Sequence, residues 1–171
     1  MKEERELQIS PAGEECRRAA KKAMDLLMQQ DRTEKNIRDR LYRAGFSENA
    51  SEYAIRYVTH FGYVNDLRYA QNYISFHQTE RSRKELRCKL MERGVPPEII
   101  AEAFQEYEEE AEYEALRRQL TKRLKGQRLS DMDIPAKNKI MAYLIRKGYS
   151  LAAVRAVIQE WADREMEAPL S

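Results

Sequence analysis

Three groups of side chains in this chain of 171 residues have the types and spacing to do chemistry. A basic cluster, Arg81, Arg83, Lys84 and Arg87, crowds the stretch RSRKELR, and Arg32 and Lys35 stand in similar places in DRTEK. A carboxylate run, EYEEEAEYE, fills residues 106–114, and Asp131 and Asp133 alternate in a second acidic stretch. Cys16, Cys88, His60 and His77 are the candidate nucleophiles and metal ligands.

The last group has no metal-ligand spacing and no short cysteine motif, so these four residues read as structural, with cysteine in the role of a small buried hydrophobe. The carboxylates read as a solvated face. A catalytic pair needs burial to separate its two pKa values, and glutamates on so polar a helix lack it. Neither a glycine-rich phosphate loop nor a Ser/His/Asp order is present. The chain therefore reads as a non-enzyme without a cofactor.

The basic cluster is different because it sits at a helix start. The macrodipole favours acids there by about 0.3–1 kcal/mol each, so cations must gain something elsewhere. Together with free backbone N–H groups they could hold a phosphate or an acidic protein surface. The plainer alternative is that their stems lie over the core and their heads keep the protein soluble.

The elements that position this cluster come in three copies. Aligned on Gly45, Gly94 and Gly148, the chain has Leu41, Leu90 and Leu144 four residues earlier, and Ile37, Leu86 and Ile140 eight earlier. Phe46, Val95 and Tyr149 follow the glycine, and a second apolar stripe holds Ala54, Ala103 and Val157, then Ile55, Phe104 and Ile158. Apolar residues four apart share a helical face, and the glycine supplies the left-handed turn that ends a helix. Ser47 and Ser150 can cap the next helix, and Pro97 suits a first helical position. Thr33 and Ser82 each stand twelve residues before their glycine, and Ser82 with Glu85 has the form of a capping box. The third copy lacks that cap, and the loop GQRLSDMD with Pro135 starts its second helix instead.

A further helical stretch precedes each pair, at residues 19–28, 67–76 and 113–124. The expected fold is all-α, an elongated array of three tandem three-helix repeats, residues 16–62, 63–109 and 110–171, after a charged N-terminal tail over 1–15. No Gly or Pro interrupts residues 98–125, so the last helix of the second repeat is expected nearly to join the first helix of the third. An acidic run would then precede a basic one, Arg117, Arg118, Lys122, Arg123 and Lys125.

Hydrophobic residues make up 42% and charged residues 35%, which suits a helix-rich protein with charged faces. The net charge of +2 does not by itself mark a nucleic-acid binder, so any such case rests on local clusters. No apolar run approaches a membrane span, and the start MKEERELQIS has no secretory core, so a cytoplasmic protein is expected. A helix, a glycine turn and a helix could suggest a DNA-reading helix-turn-helix. The second helices, however, open with SENAS, PPEII and SLAAV, which are acidic or apolar and poorly suited to base edges. Tyr69 and Tyr73, four apart, read as core or groove lining rather than base-stacking platforms.

The junction GYVNDLRYAQNYI, residues 62–74, followed by RSRKELRCKLMERGV, residues 81–95, resembles the RecX family of bacterial regulators of the recombinase RecA. The resemblance covers residues 16–165, and its tandem three-helix architecture agrees with the repeat found from the residues alone. Asn65 departs from a pattern that commonly has an acid there. The resemblance implies a monomeric, non-enzymatic protein that binds the RecA–ssDNA filament groove and inhibits filament growth, ATPase and strand exchange, within homologous recombination, DNA repair and the SOS response. On that reading the partner-binding residues are Arg81, Arg83, Lys84 and Arg87, with Arg32, Lys35 and Arg68. The alternative is a nonspecific DNA-binding or protein-adaptor helical repeat module.

Overall fold

A computed structural model of the protein describes residues 13–167. Of the charged tail expected over 1–15, residues 1–12 lie outside the described residues, and Glu14 and Glu15 open the first helix. The described residues form nine helices and no strand. These are α1 (Glu14–Gln29), α2 (Glu34–Arg43), α3 (Glu48–His60), α4 (Asp66–His77), α5 (Arg83–Glu92), α6 (Pro97–Ala103), α7 (Glu109–Leu124), α8 (Ile134–Arg146) and α9 (Leu151–Glu167). They follow the three-by-three order of the repeat, an all-α array.

The helix starts follow from side-chain caps. The hydroxyls of Thr33, Ser47, Ser82 and Ser150 accept from the N–H groups of Asn36, Ala50, Glu85 and Ala153 at 3.1–3.3 Å. The third repeat, expected to lack such a cap on its second helix, has one. The Asp133 carboxylate accepts from the Ala136 N–H at 2.8 Å, with Pro135 in the first turn of α8. Ser82 and Glu85 make only the forward half of a capping box, since the Glu85 carboxylate pairs with Arg81 at 2.9 Å. Asn65 caps α4 by accepting from the Arg68 N–H at 2.9 Å, as an acid there could.

The continuous helix expected over 98–125 does not form. α6 ends at Ala103, and the chain turns through residues 104–108 before α7 begins. Glu106, Glu108, Glu109 and Glu110 within one unbroken helix would repel one another, whereas at the start of α7 Glu109, Glu110 and Glu112 lie where the macrodipole favours acids. The turn also lets Phe104 bury and Tyr107 pack edge-on against it, with ring centroids 5.2 Å apart.

The described residues divide into two compact units. One runs to Tyr69 and takes in the turn Arg93–Pro96; the other comprises Ala70–Glu92 and the chain from Pro97 onward. In the first, Ala19, Ala20 and Ala23 of α1 are buried with Ala50 and Ala54 of α3, small residues that let two helices approach closely. Ile37 and Leu41 of α2 complete that core, and Cys16 packs against it. In the second, Leu116, Leu120 and Leu124 of α7 are buried with Ile140 and Leu144 of α8 and Val154 and Val157 of α9. Cys88, expected to be buried, is exposed.

One device recurs, once in each unit. In the first, the Thr33 hydroxyl donates to the Arg93 carbonyl at 2.7 Å while capping α2. In the second, the Ser82 hydroxyl donates to the Lys147 carbonyl at 2.6 Å while capping α5. Each carbonyl immediately precedes a turn glycine, and each glycine lies against a lysine two residues after the cap. A Cβ on Gly94 would stand 2.2 Å from Lys35 Cδ, and one on Gly148 would stand 2.6 Å from Ser82 Oγ and 3.0 Å from Lys84 Cβ. Ser82 is fully buried, so Ser82→Ala would leave both a helix start and the part-buried Lys147 carbonyl without their partner. The variant is expected to lose about 2 kcal/mol, read by thermal or urea unfolding.

The long loop before α8 is held from α9. The Glu165 carboxylate accepts from the N–H groups of Leu129 at 2.8 Å and Ser130 at 3.0 Å, and from Trp161 Nε1 at 3.1 Å, while Arg128 donates to the Glu165 carbonyl at 2.7 Å. Burial pushes the Glu165 pKa up, but these N–H donors outweigh it and leave the group below its ordinary value. A depressed carboxylate stabilises the fold above its unfolded pKa, about 4.3, and that contribution fades as pH falls through the lower folded value. Glu165→Gln is therefore expected to be less stable at pH 7 and to show a shallower fall in stability below about pH 4.5, measured by urea unfolding across pH.

Candidate partner-binding site

The basic residues singled out in the sequence are put to quite different uses. On the second unit, Arg81, Arg83, Lys84 and Arg87 open α5 together. Arg83, Lys84 and Arg87 line one side of a cleft of about 440 Å³, with Glu109, Glu112 and Tyr113 of α7 also on its wall. Arg81 is half-buried and paired with Glu85 at 2.9 Å. The Arg83 guanidinium lies 5.3 Å from the Phe104 ring centroid and 5.5 Å from that of Tyr107, and Arg87 lies 5.1 Å from Phe104. Such contacts contribute about 0.5–1 kcal/mol each at exposed sites, enough to offset the unfavourable macrodipole. The gain sought for these cations is thus partly internal.

The anion site expected from free N–H groups at these helix starts is already filled by the protein. The Arg83 N–H donates to Glu112 Oε1 at 3.3 Å, and in the first unit the Glu34 N–H donates to Asp66 Oδ1 at 2.9 Å. In both cases an acid from the following helix triplet occupies the place. Burial pushes the Asp66 carboxyl up, opposed by that hydrogen bond. What α5 presents to solvent here is therefore not the helix terminus but the exposed heads of Lys84 and Arg87. Among the described residues neither makes an ion pair.

The first unit holds the other three. Arg32 is only 6% exposed and turned inward, donating to the Leu26 carbonyl at 3.1 Å and to Asn36 Oδ1 at 3.1 Å, where it closes the end of α1. Lys35 is exposed, with its stem against Gly94 and its head on Asp39 at 2.7 Å. Arg68 is exposed and donates to the carbonyls of Gly62 at 3.3 Å and Tyr63 at 3.4 Å at the end of α3. Arg32 stabilises the fold, the charge of Lys35 is matched by Asp39, and Arg68 stays exposed.

The aromatic seat of Arg83 and Arg87 was not singled out in the sequence. Its only trace there was Phe104 in the second apolar stripe and Tyr107 three residues on. The Tyr107 hydroxyl is buried, and burial with the nearby Glu112 charge pushes its pKa up to about 12, so it is neutral at any physiological pH. Of the basic run on α7, Arg117 pairs with Glu110 at 2.7 Å and Glu160 at 3.3 Å, Arg118 pairs with Glu114 at 2.7 Å, and Arg123 lies 5.0 Å over the Tyr143 ring. Among the described residues no three His, Cys, Asp or Glu side chains converge as a metal site, and no helix is long and apolar enough to cross a membrane.

Family models match all three helix triplets. The first three-helix domain of RecX matches residues 19–57 and again 68–106, and the third three-helix domain matches residues 109–158. The chain is 32% identical over 153 residues to the regulatory protein RecX of Amycolatopsis mediterranei, covering 88% of this chain and 86% of that one. It is 27% identical over 152 residues to the regulatory protein RecX of Clostridium botulinum, covering 88% and 70%. The crystal structure of RecX from Lactobacillus salivarius superposes with a TM-score of 0.78 at 23% identity, over 90% of this chain and 99% of that one, a likeness of fold. With both kinds of family match spanning the repeats whose geometry is described above, the chain belongs to the RecX family of regulatory proteins.

Proposed function

We propose that this chain binds the RecA nucleoprotein filament in its helical groove and limits filament growth, and with it RecA's ATPase and strand exchange. The observation that carries the reading is the match of RecX three-helix domains to all three repeats. The exposed heads of Lys84 and Arg87 support it, since they suit a groove containing acidic side chains and phosphates. Arg81 and Arg83 contribute by holding this end of α5 in place, Arg68 adds positive surface on the first unit, and Lys35 would reach a partner by leaving its ion pair with Asp39. The chain acts as a monomer in the cytoplasm, without a cofactor. Direct DNA contact is secondary, made by Lys and Arg with phosphates, and is therefore sensitive to salt.

Cosedimentation with preformed RecA–ssDNA filaments and with naked ssDNA, at low salt and at about 0.2 M, tests this reading. Filament binding is expected to persist at the higher salt while binding to naked ssDNA falls away. Equal, salt-labile binding to both would make the protein a nonspecific DNA-binding module. Binding to neither would overturn the filament reading and leave an adaptor for another protein.

A further inference from the structure

Among the described residues Arg32 is the one charged side chain that is almost wholly buried, and no carboxylate pairs with it. Its Nε donates to the Leu26 carbonyl and its Nη1 to Asn36 Oδ1, both at 3.1 Å. Its Nη2 makes no hydrogen bond among the described residues. The same Asn36 oxygen also accepts from Arg40 Nε at 3.3 Å, so two guanidinium groups converge on one neutral amide. Burial pushes the Arg32 pKa down and the Arg40 charge pushes it further, yet a guanidinium keeps its proton at physiological pH.

Arg32 lines a cavity of about 360 Å³ in the first unit, together with Gln30, Asp31, Asn36, Tyr69 and Arg93. The Thr33 hydroxyl fixes Arg93 there by donating to its carbonyl. Asp31 alone of the lining residues carries a carboxylate, set against two guanidinium groups, with Arg40 close behind Asn36. The cavity is thus polar, positively charged and furnished with an unused guanidinium donor. A covered cation of this kind is costly unless an anion and further hydrogen bonds satisfy it.

The geometry points to a pocket for a carboxylate, the aspartate or glutamate side chain of a partner protein, seated on the Nη2 edge of Arg32. A planar carboxylate matches the guanidinium fork. Shape excludes the other common anion. A phosphodiester is flanked by sugars on both sides and cannot reach a guanidinium that is almost wholly covered, whereas a carboxylate on a single flexible stem can. Asp31 on the wall also disfavours any group with more than one negative charge. On the filament reading above, the carboxylate belongs to a RecA subunit.

Arg32 also closes the end of α1, so replacing it would mix folding with binding. Gln30 and Asp31 are better probes, since both are exposed and neither side chain makes a hydrogen bond or ion pair among the described residues. Acetate and dimethyl phosphate, titrated into the full chain while the Arg32 Nε–H resonance is followed by NMR, test the pocket. Acetate is expected to shift it saturably, with a Kd of roughly 1–50 mM, and dimethyl phosphate is not. Gln30→Glu is expected to weaken acetate roughly three- to tenfold and Asp31→Asn to tighten it roughly two- to threefold, with thermal midpoints within a few degrees of the parent. Both changes are expected to move the Kd for preformed RecA–ssDNA filaments in the same directions. Asn49→Asp, which the Ser47–Glu15 bonds place at the far end of α1, is the control, expected to change either Kd by less than about twofold.

A shift that stays linear in acetate overturns the pocket, and saturation by dimethyl phosphate overturns the carboxylate. Saturable acetate with filament binding that neither variant alters overturns RecA as the source of that carboxylate. A parent chain that does not bind filaments overturns the filament reading and leaves the pocket standing where acetate saturates.

Discussion

Gly94→Val is expected to destabilise the protein by about 3 kcal/mol or more. Two costs combine. The residue has φ +81°, a conformation that a β-branched side chain strongly resists, at about 1–2 kcal/mol. The new Cβ would also stand 2.2 Å from Lys35 Cδ and 2.6 Å from Lys35 Cβ. Lys35 Cβ is fixed to the α2 backbone and cannot swing away, so the clash adds about 1–3 kcal/mol of overpacking. Gly45 provides the control. It has nearly the same φ, +84°, but nothing lies within 4 Å of its added Cβ. Gly45→Val is therefore expected to carry only the conformational cost. Urea unfolding of both variants measures the difference, and equal losses would show that the Lys35 contact contributes nothing.

The second large effect is functional. Lys84→Glu with Arg87→Glu is expected to abolish the effect on RecA filaments while changing stability by no more than about 1 kcal/mol. Both side chains are exposed, and the pair of changes removes two positive heads and presents two negative ones to an anionic groove. The structural losses are small. The Arg87 contact with Phe104 is an exposed cation–π pair, and a glutamate at position 84 lies in the first turn of α5, where the macrodipole favours it. Glu109 and Glu112 on the same cleft wall oppose that gain by like-charge repulsion. Reversing Arg81 and Arg83 instead would be a poorer probe. It would break the Glu85 ion pair and remove the guanidinium from Phe104 and Tyr107, so lost activity could reflect a disturbed fold. Circular dichroism and RecA ATPase inhibition on one preparation decide the matter. A folded double variant that inhibits like the parent would show that this end of α5 is only a solvated face.

The helix triplets could be read from the sequence because their signals are local. Apolar residues four apart, a turn glycine and a hydroxyl cap each act within one or two turns of helix, and Thr33, Ser47, Ser82 and Ser150 all cap as their spacing suggests. What could not be read depends on partners distant in sequence. Arg32 and Arg81 occupy like places before their caps, yet one is buried against the Leu26 carbonyl and the other is paired with Glu85. The helix start of α5 looked open to an anion because Glu112, which fills it, lies 29 residues away. The break after Ala103 was hidden for a related reason. No breaker residue marks it, and it follows from the burial of Phe104 and the crowding of glutamates. The second duty of Thr33 and Ser82, holding the carbonyls of Arg93 and Lys147, was likewise invisible in their capping motif.

ATP hydrolysis by RecA on single-stranded DNA, followed while the full chain is titrated in and filament lengths are imaged from the same samples, tests the central claim most directly. The account predicts that hydrolysis falls and filaments shorten together at concentrations well below that of RecA subunits, with the Lys84→Glu, Arg87→Glu variant leaving both unchanged. Unaltered hydrolysis and filament length at micromolar concentrations of a folded parent chain would contradict it.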